Sequence, residues 1–139
     1  MVAFAIAFLV TSCGGTGTVA TPTSATSSAP AEVQLMDADN GRSIEVAHGG
    51  TVIVALTSNP STGYAWAVDP SPGPQLKQLG DATYVPAGST LPVVGAGGTE
   101  KFTFSAASPG TVTLHLIYRR SFEPGVAPIR TFEVSVTVR

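Results

Sequence analysis

Few side chains in this 139-residue chain are able to do chemistry: two histidines, one cysteine and nine carboxylates. Their spacing does not assemble a catalytic site. His48 stands in a glycine turn, His48-Gly49-Gly50, and His115 alternates with Leu114 and Leu116 on the polar side of a strand pattern, as a solvated strand histidine. A serine hydrolase needs a nucleophile, a base and an acid that orients the base. Serines abound, but none lies in a recognisable nucleophile elbow. A zinc ion asks for three or four ligands from histidine, cysteine or carboxylate, and the two histidines are far apart in sequence. Gly95-Ala96-Gly97-Gly98 lacks the helix that follows a phosphate-binding glycine loop. The expectation is a protein that is not an enzyme and uses no metal and no cofactor.

Recognition by a stiff loop is a different chemistry, and here the residues say more. Asn59-Pro60-Ser61-Thr62-Gly63-Tyr64 joins two strand-like runs, 51–57 and 64–68. Pro60 fixes its own φ and pushes Asn59 into an extended conformation. Gly63 can take positive φ or let another backbone come close. Asn59, Ser61 and Thr62 carry short polar groups that brace a turn from within. Taken alone, the stretch also fits an ordinary Asn-Pro turn between strands. Trp66 reads as a core anchor of the strand that follows, and Tyr64 as an anchor or a loop residue.

Two more stretches follow in order, with strands between. Gly95-Ala96-Gly97-Gly98-Thr99-Glu100 precedes a strand, and Tyr118-Arg119-Arg120-Ser121-Phe122 ends another. Together the three resemble the loops of the chagasin-like cysteine protease inhibitors, proteinase inhibitor family I42, which carry N-P-T-T-G-Y, G-x-G-G and R-P-W. The first matches at Asn59, Pro60, Thr62, Gly63 and Tyr64, and the second at Gly95, Gly97 and Gly98. The third matches at Arg120, with Ser121 in place of proline and Phe122 in place of tryptophan. The resemblance covers roughly residues 32–139. It implies a reversible, non-covalent inhibitor of papain-like cysteine proteases. Residues Asn59, Pro60, Ser61, Thr62, Gly63 and Tyr64 would then meet the protease, with Thr62 entering the cleft beside its catalytic cysteine and histidine. Gly95, Gly97, Gly98, Arg120 and Phe122 would grip either side. The residues alone leave a second reading open: an immunoglobulin-like surface adhesion or assembly module, its loops merely structural and Arg120 a solvated strand-end arginine.

The elements that must position these loops read as strands. Val33 and Leu35 alternate with polar neighbours, and Asn40-Gly41 in the turn 37–41 is a hairpin signal. A short run at 43–47 and a long one at 51–57 follow. The proline- and glycine-rich segment 69–80 reads as loop, 83–85 as a short strand ended by Pro86, and 87–98 as loop. Phe102 and Phe104 share a face of 101–105, and a tight turn follows at 108–110. Val112, Leu114, Leu116 and Tyr118 share a face of 111–119, and Phe132, Val134, Val136 and Val138 share one of 131–139. Period-two alternation with regular turns predicts an all-β, immunoglobulin-like antiparallel sandwich of about seven to eight strands. One cysteine rules out an intrachain disulfide. Because consecutive strands run in opposite directions, alternate loops gather at one end. The three motif loops therefore share an end, and the loops at Ser71 and Ser108 lie at the other.

Composition and the N-terminus supply the address. Net charge is −2 and 12% of residues are charged, which argues against nucleic acid as a partner. Residues 1–10 are an apolar run too short to span a bilayer well, followed by Val10-Thr11-Ser12-Cys13. Small residues ending in cysteine resemble a bacterial lipobox, which implies cleavage before Cys13 and a lipid on its sulfur. No basic residue precedes the run, as a signal peptide would have. The expected organisation is a lipoprotein signal peptide at 1–12, a flexible Ser/Thr/Pro/Gly-rich tether at 13–31 and the inhibitor domain at 32–139. An exported, membrane-anchored monomer is expected.

Overall fold

A computed structural model describes residues 28–88 and 95–139. Nine strands are formed among them: β1 (Glu32–Met36), β2 (Ser43–Val46), β3 (Thr51–Ser58), β4 (Ala65–Val68), β5 (Leu76–Gln78), β6 (Thr83–Pro86), β7 (Gly98–Ala106), β8 (Gly110–Arg119) and β9 (Arg130–Val138). They make two sheets. One is ordered β1-β3-β7, with β5 and β6 sharing the far side of β7, and the other β2-β9-β8-β4. Alternation decides what goes inside. β3 buries Val52, Val54 and Leu56, β7 buries Phe102 and Phe104, and β9 buries Phe132, Val134, Val136 and Val138. These meet Leu35, Leu76, Leu114, Leu116 and Trp66 in a single core. Each such side chain withdrawn from water contributes about 1.5–3 kcal/mol before entropy is counted. The expected sandwich is therefore formed, without a disulfide to staple its sheets.

The structure differs from expectation at three local points. Asn40-Gly41 does not close a hairpin, because β1 and β2 lie in different sheets. β1 pairs in parallel with β3, and β2 in parallel with β9. The Asn-Gly groups are claimed by β9 instead: Gly41 N–H donates to the Glu133 carbonyl at 2.6 Å, and Glu133 N–H donates to Asn40 Oδ1 at 2.8 Å. Each N-terminal strand thus extends the sheet it joins. Second, Leu76 is buried and starts a three-residue strand inside the segment read as loop. Three residues are too few for alternation to show among prolines. Third, β6 runs one residue further than 83–85 and takes in Pro86 as its last residue. A proline is tolerated there because β6 has a free edge that needs no donor.

Strand direction sorts the connections. β3, β6 and β8 run antiparallel to β7, β4 and β9, so residues 59–64, 87–88, 95–97 and 120–129 all lie at one end. Residues 47–50, 69–75 and 107–109 turn at the opposite end. There, Ala47 N–H and Thr51 N–H donate to the carbonyls of Pro30 and Ala31, tying the two residues before β1 into the fold.

Candidate functional site

The first motif loop is built by its own residues. Pro60 opens a single 3₁₀ turn, Pro60–Thr62, in the position where a missing N–H is harmless. Asn59 precedes it with φ −137° and ψ 86°. Thr62 Oγ1 donates to the Asn59 carbonyl and Ser61 Oγ to Asn59 Oδ1, each at 2.6 Å. Gly63 ends the turn at φ +80°, a left-handed conformation that costs a side-chain-bearing residue about 1–2 kcal/mol. Pro60, Ser61 and Thr62 are left exposed at the tip.

The other two loops are bonded to this one. Asn59 Nδ2 donates to the Gly95 carbonyl at 3.3 Å. Arg120 Nε donates to the Thr62 carbonyl at 3.2 Å, and its guanidinium lies 4.5 Å from the centre of the Tyr64 ring and 6.0 Å from that of Phe122. Glu123 holds the same guanidinium from the loop side at 3.5 Å. A Cβ on Gly63 would stand 3.0 Å from Phe122, so the glycine is what allows the two loops to touch. Arg120 is therefore no free strand-end cation but a bracket between the first and third loops. Phe122 keeps 67% of its surface open.

Below the loops lies an aromatic and polar base. Tyr118 is stacked on Tyr64 at 5.5 Å and lies tilted against Trp66 at 5.0 Å, and its hydroxyl accepts from Asn59 N–H at 2.9 Å. Trp66 is 5% exposed, as expected of a core anchor, and its indole N–H donates to the Thr57 carbonyl at 3.0 Å. Arg130 covers Trp66 at 5.2 Å and pairs with Asp37. Burial works against the charge on Asp37. The N–H and hydroxyl of Thr57, together with Arg130, outweigh it and hold the carboxyl below its ordinary range. Glu100 lies buried nearby, accepting from Ser58 Oγ and from Trp66 N–H, both at 3.0 Å.

Of the residues singled out in the sequence, Asn59, Pro60, Ser61, Thr62, Gly63, Tyr64, Gly95, Gly97, Arg120 and Phe122 come together at one end. Gly98 is different: it is buried in β7, where a Cβ would sit 2.3 Å from the Val85 carbonyl and 2.6 Å from the Tyr84 hydroxyl. It serves the loop from behind rather than by contact. Cys13 and the leader lie outside the described residues. Sequence reasoning missed Glu100, Arg130 and Asp37. Glu100 did carry a signal, since it stands two and four residues before the inward-facing Phe102 and Phe104. His115 is partly buried rather than solvated, its Nδ1–H donating to the Asp69 carbonyl, and His48 Nε2 donates to the Ala107 carbonyl at 3.1 Å. Both contacts are at the far end. No group of three or more potential metal ligands occurs among the described residues.

With this geometry in view, residues 45–136 match the family model described as chagasin family peptidase inhibitor I42. The chain belongs to the chagasin family. Its members are inhibitors rather than enzymes. The chain is 38% identical over 91 residues to chagasin of Trypanosoma cruzi, spanning 63% of this chain and 80% of that one. It is 31% identical over 108 residues to amoebiasin-1 of Entamoeba histolytica, spanning 77% of this chain and all of that one. Family membership extends to the solved fold. The crystal structure of a cysteine protease inhibitor from Entamoeba histolytica superposes with a TM-score of 0.68 at 24% identity, covering 78% of this chain and 96% of that one.

Proposed function

We propose that the protein is a reversible, non-covalent inhibitor of papain-like cysteine proteases whose three bonded loops fill the active-site cleft. The observation that carries this reading is the joining of the three family loops at one end, by the hydrogen bonds Asn59–Gly95 and Arg120–Thr62 and by the close approach of Phe122 to Gly63. Loops already held in place lose less entropy on docking. The tip suits a cleft holding a thiolate and an imidazolium, because it offers hydroxyls and backbone groups without a charge of its own. It also resists cleavage. Pro60–Thr62 is a closed 3₁₀ turn capped by left-handed Gly63, so no extended peptide lies ready for attack. Exposed apolar surface points the same way. Of the six large apolar side chains left exposed among the described residues, Met36, Val85, Phe122, Val126 and Ile129 lie toward the loop end, and Leu79 does not. Titration of a papain-like protease with the purified protein tests the reading. Inhibition at or below micromolar concentration is expected, with the inhibitor recovered intact and a serine protease unaffected. A folded protein that leaves the cysteine protease active at micromolar concentration would contradict it.

The address is a second part of the proposal. Val10-Thr11-Ser12-Cys13 supports lipid attachment at Cys13 of an exported protein. Pro30 and Ala31 enter the domain at the end opposite the loops, so the chain leading to such an anchor does not cross the loop end. Cys13→Ser is expected to shift the protein out of the membrane fraction in a bacterial host. Unchanged fractionation would contradict the anchor.

A further inference from the structure

The loops of the site are held by many local bonds, but one group reaches several of their supports at once. Glu100 is a buried carboxylate at the start of β7, two residues beyond Gly98. Its Oε2 accepts from Ser58 Oγ, at the end of β3, and from Trp66 N–H, at the start of β4, both at 3.0 Å. Ser58 and Trp66 are the two stems of the loop 59–64. β3 and β4 belong to different sheets, so the carboxylate also crosses the sandwich. Burying such a group is unfavourable unless it is bonded, and among the described residues no buried polar side-chain atom lacks a partner. A leucine at this inward-facing position would serve the core alone.

We propose that Glu100 is the positioning residue of the inhibitory site: by accepting from both stems of the Asn59–Tyr64 loop and standing on the strand that carries the glycine loop, it sets how the two loops sit relative to each other. It does so as a hydrogen-bond acceptor. Both donors meet the same oxygen, and a glutamine can place its carbonyl oxygen there. Leucine cannot, and leaves the Ser58 hydroxyl and the Trp66 amide without a partner, a loss local to the stems. The consequence for the protease rests on the inhibitor reading above. The consequence for loop position does not.

The test compares Glu100→Leu, Glu100→Gln and Ser58→Ala by amide NMR, thermal unfolding and inhibition of a papain-like protease. In Glu100→Leu, amide signals of residues 59–66 and 95–98 should move while those of 47–50 and 107–110 stay, and the inhibition constant should rise at least tenfold. Glu100→Gln should restore both signal positions and inhibition to within about threefold of wild type. Ser58→Ala, which removes one donor, should move the same signals less, and it decides the matter if Glu100→Leu does not fold. A lowered melting temperature with unmoved loop signals and a wild-type inhibition constant would reduce Glu100 to a core residue and overturn the proposal. So would a glutamine variant as impaired as the leucine. If the wild type itself fails to inhibit, the inhibitor reading falls, while the amide signals still judge the positioning role.

Discussion

The two ends of the sandwich use similar turn residues for different purposes. At the end away from the loops, Gly49 and Gly110 take positive φ, and His48 and His115 bond the carbonyls of Ala107 and Asp69. The turns there close the strands, and a cavity of about 550 Å³ lies among Val68, Pro72, Pro74, Leu76, Lys77 and Ala107. At the loop end the positive-φ glycine Gly63 lies against Phe122, the carbonyls of Thr62 and Gly95 are bonded from neighbouring loops, and exposed apolar side chains collect. Small-molecule sites are concave. A protein that acts by filling a partner's cleft carries its function on a protrusion, and its own cavity lies elsewhere.

Substitutions made in pairs, one at each end, separate these roles. The largest effect is expected at Gly63. Gly63→Val forces an unfavourable φ and drives a side chain into Phe122, parting the first and third loops. Inhibition should weaken at least a hundredfold, or about 3 kcal/mol. Gly49→Val meets the same φ of +80° with nothing within 4 Å. It should lower the melting temperature and leave the inhibition constant unchanged. Equal inhibition by wild type and Gly63→Val would erase the distinction between the ends.

Arg120→Ala removes the bond to Thr62 and the contact with the Tyr64 ring. A loss of about 2 kcal/mol in affinity is expected, read chiefly as faster dissociation. Phe122→Ala should cost about 1–2 kcal/mol, as an exposed aromatic anchor does, while Leu79→Ala, also exposed but away from the loops, should cost nothing. Phe122→Trp with Ser121→Pro should slow dissociation, since a larger face and a stiffer backbone both favour the docked state. The smallest effect concerns pH. Asp37 has a lowered pKa in the folded protein, so its stabilising contribution is present above the ordinary value of about 3.9 and is lost as pH falls through the folded value. Asp37→Asn should flatten the fall in melting temperature below about pH 4. The site is part-exposed and screened by water, so the change is a fraction of a kcal/mol.

Strand patterns carried most of the fold in the sequence. Phe132, Val134, Val136 and Val138 announced β9 by alternation, and the order of turns placed three loops at one end. Partner choice was harder to read. Asn40-Gly41 has hairpin chemistry, yet the bonds to Glu133 that redirect it come from residues far along the chain. β5 was hidden because its strand status depends on Leu76 finding a place beside β7. At the site, the internal bracing of 59–63 was legible because it is local. The bracket formed by Arg120 was half legible: the residue was marked, but its contacts with Thr62 and Tyr64 needed the assembled end. Arg130 and Asp37 were invisible, since an exposed-looking arginine and a turn aspartate meet only when β1, β3 and β9 converge.

The most direct test of the central claim is binding to a papain-like protease before and after its cleft is filled by a covalent peptide-like blocker of the catalytic cysteine. If the protruding loops enter the cleft, tight binding to the free enzyme should weaken more than a hundredfold for the blocked one. Equal affinity for both forms would place the contact outside the cleft and contradict the account.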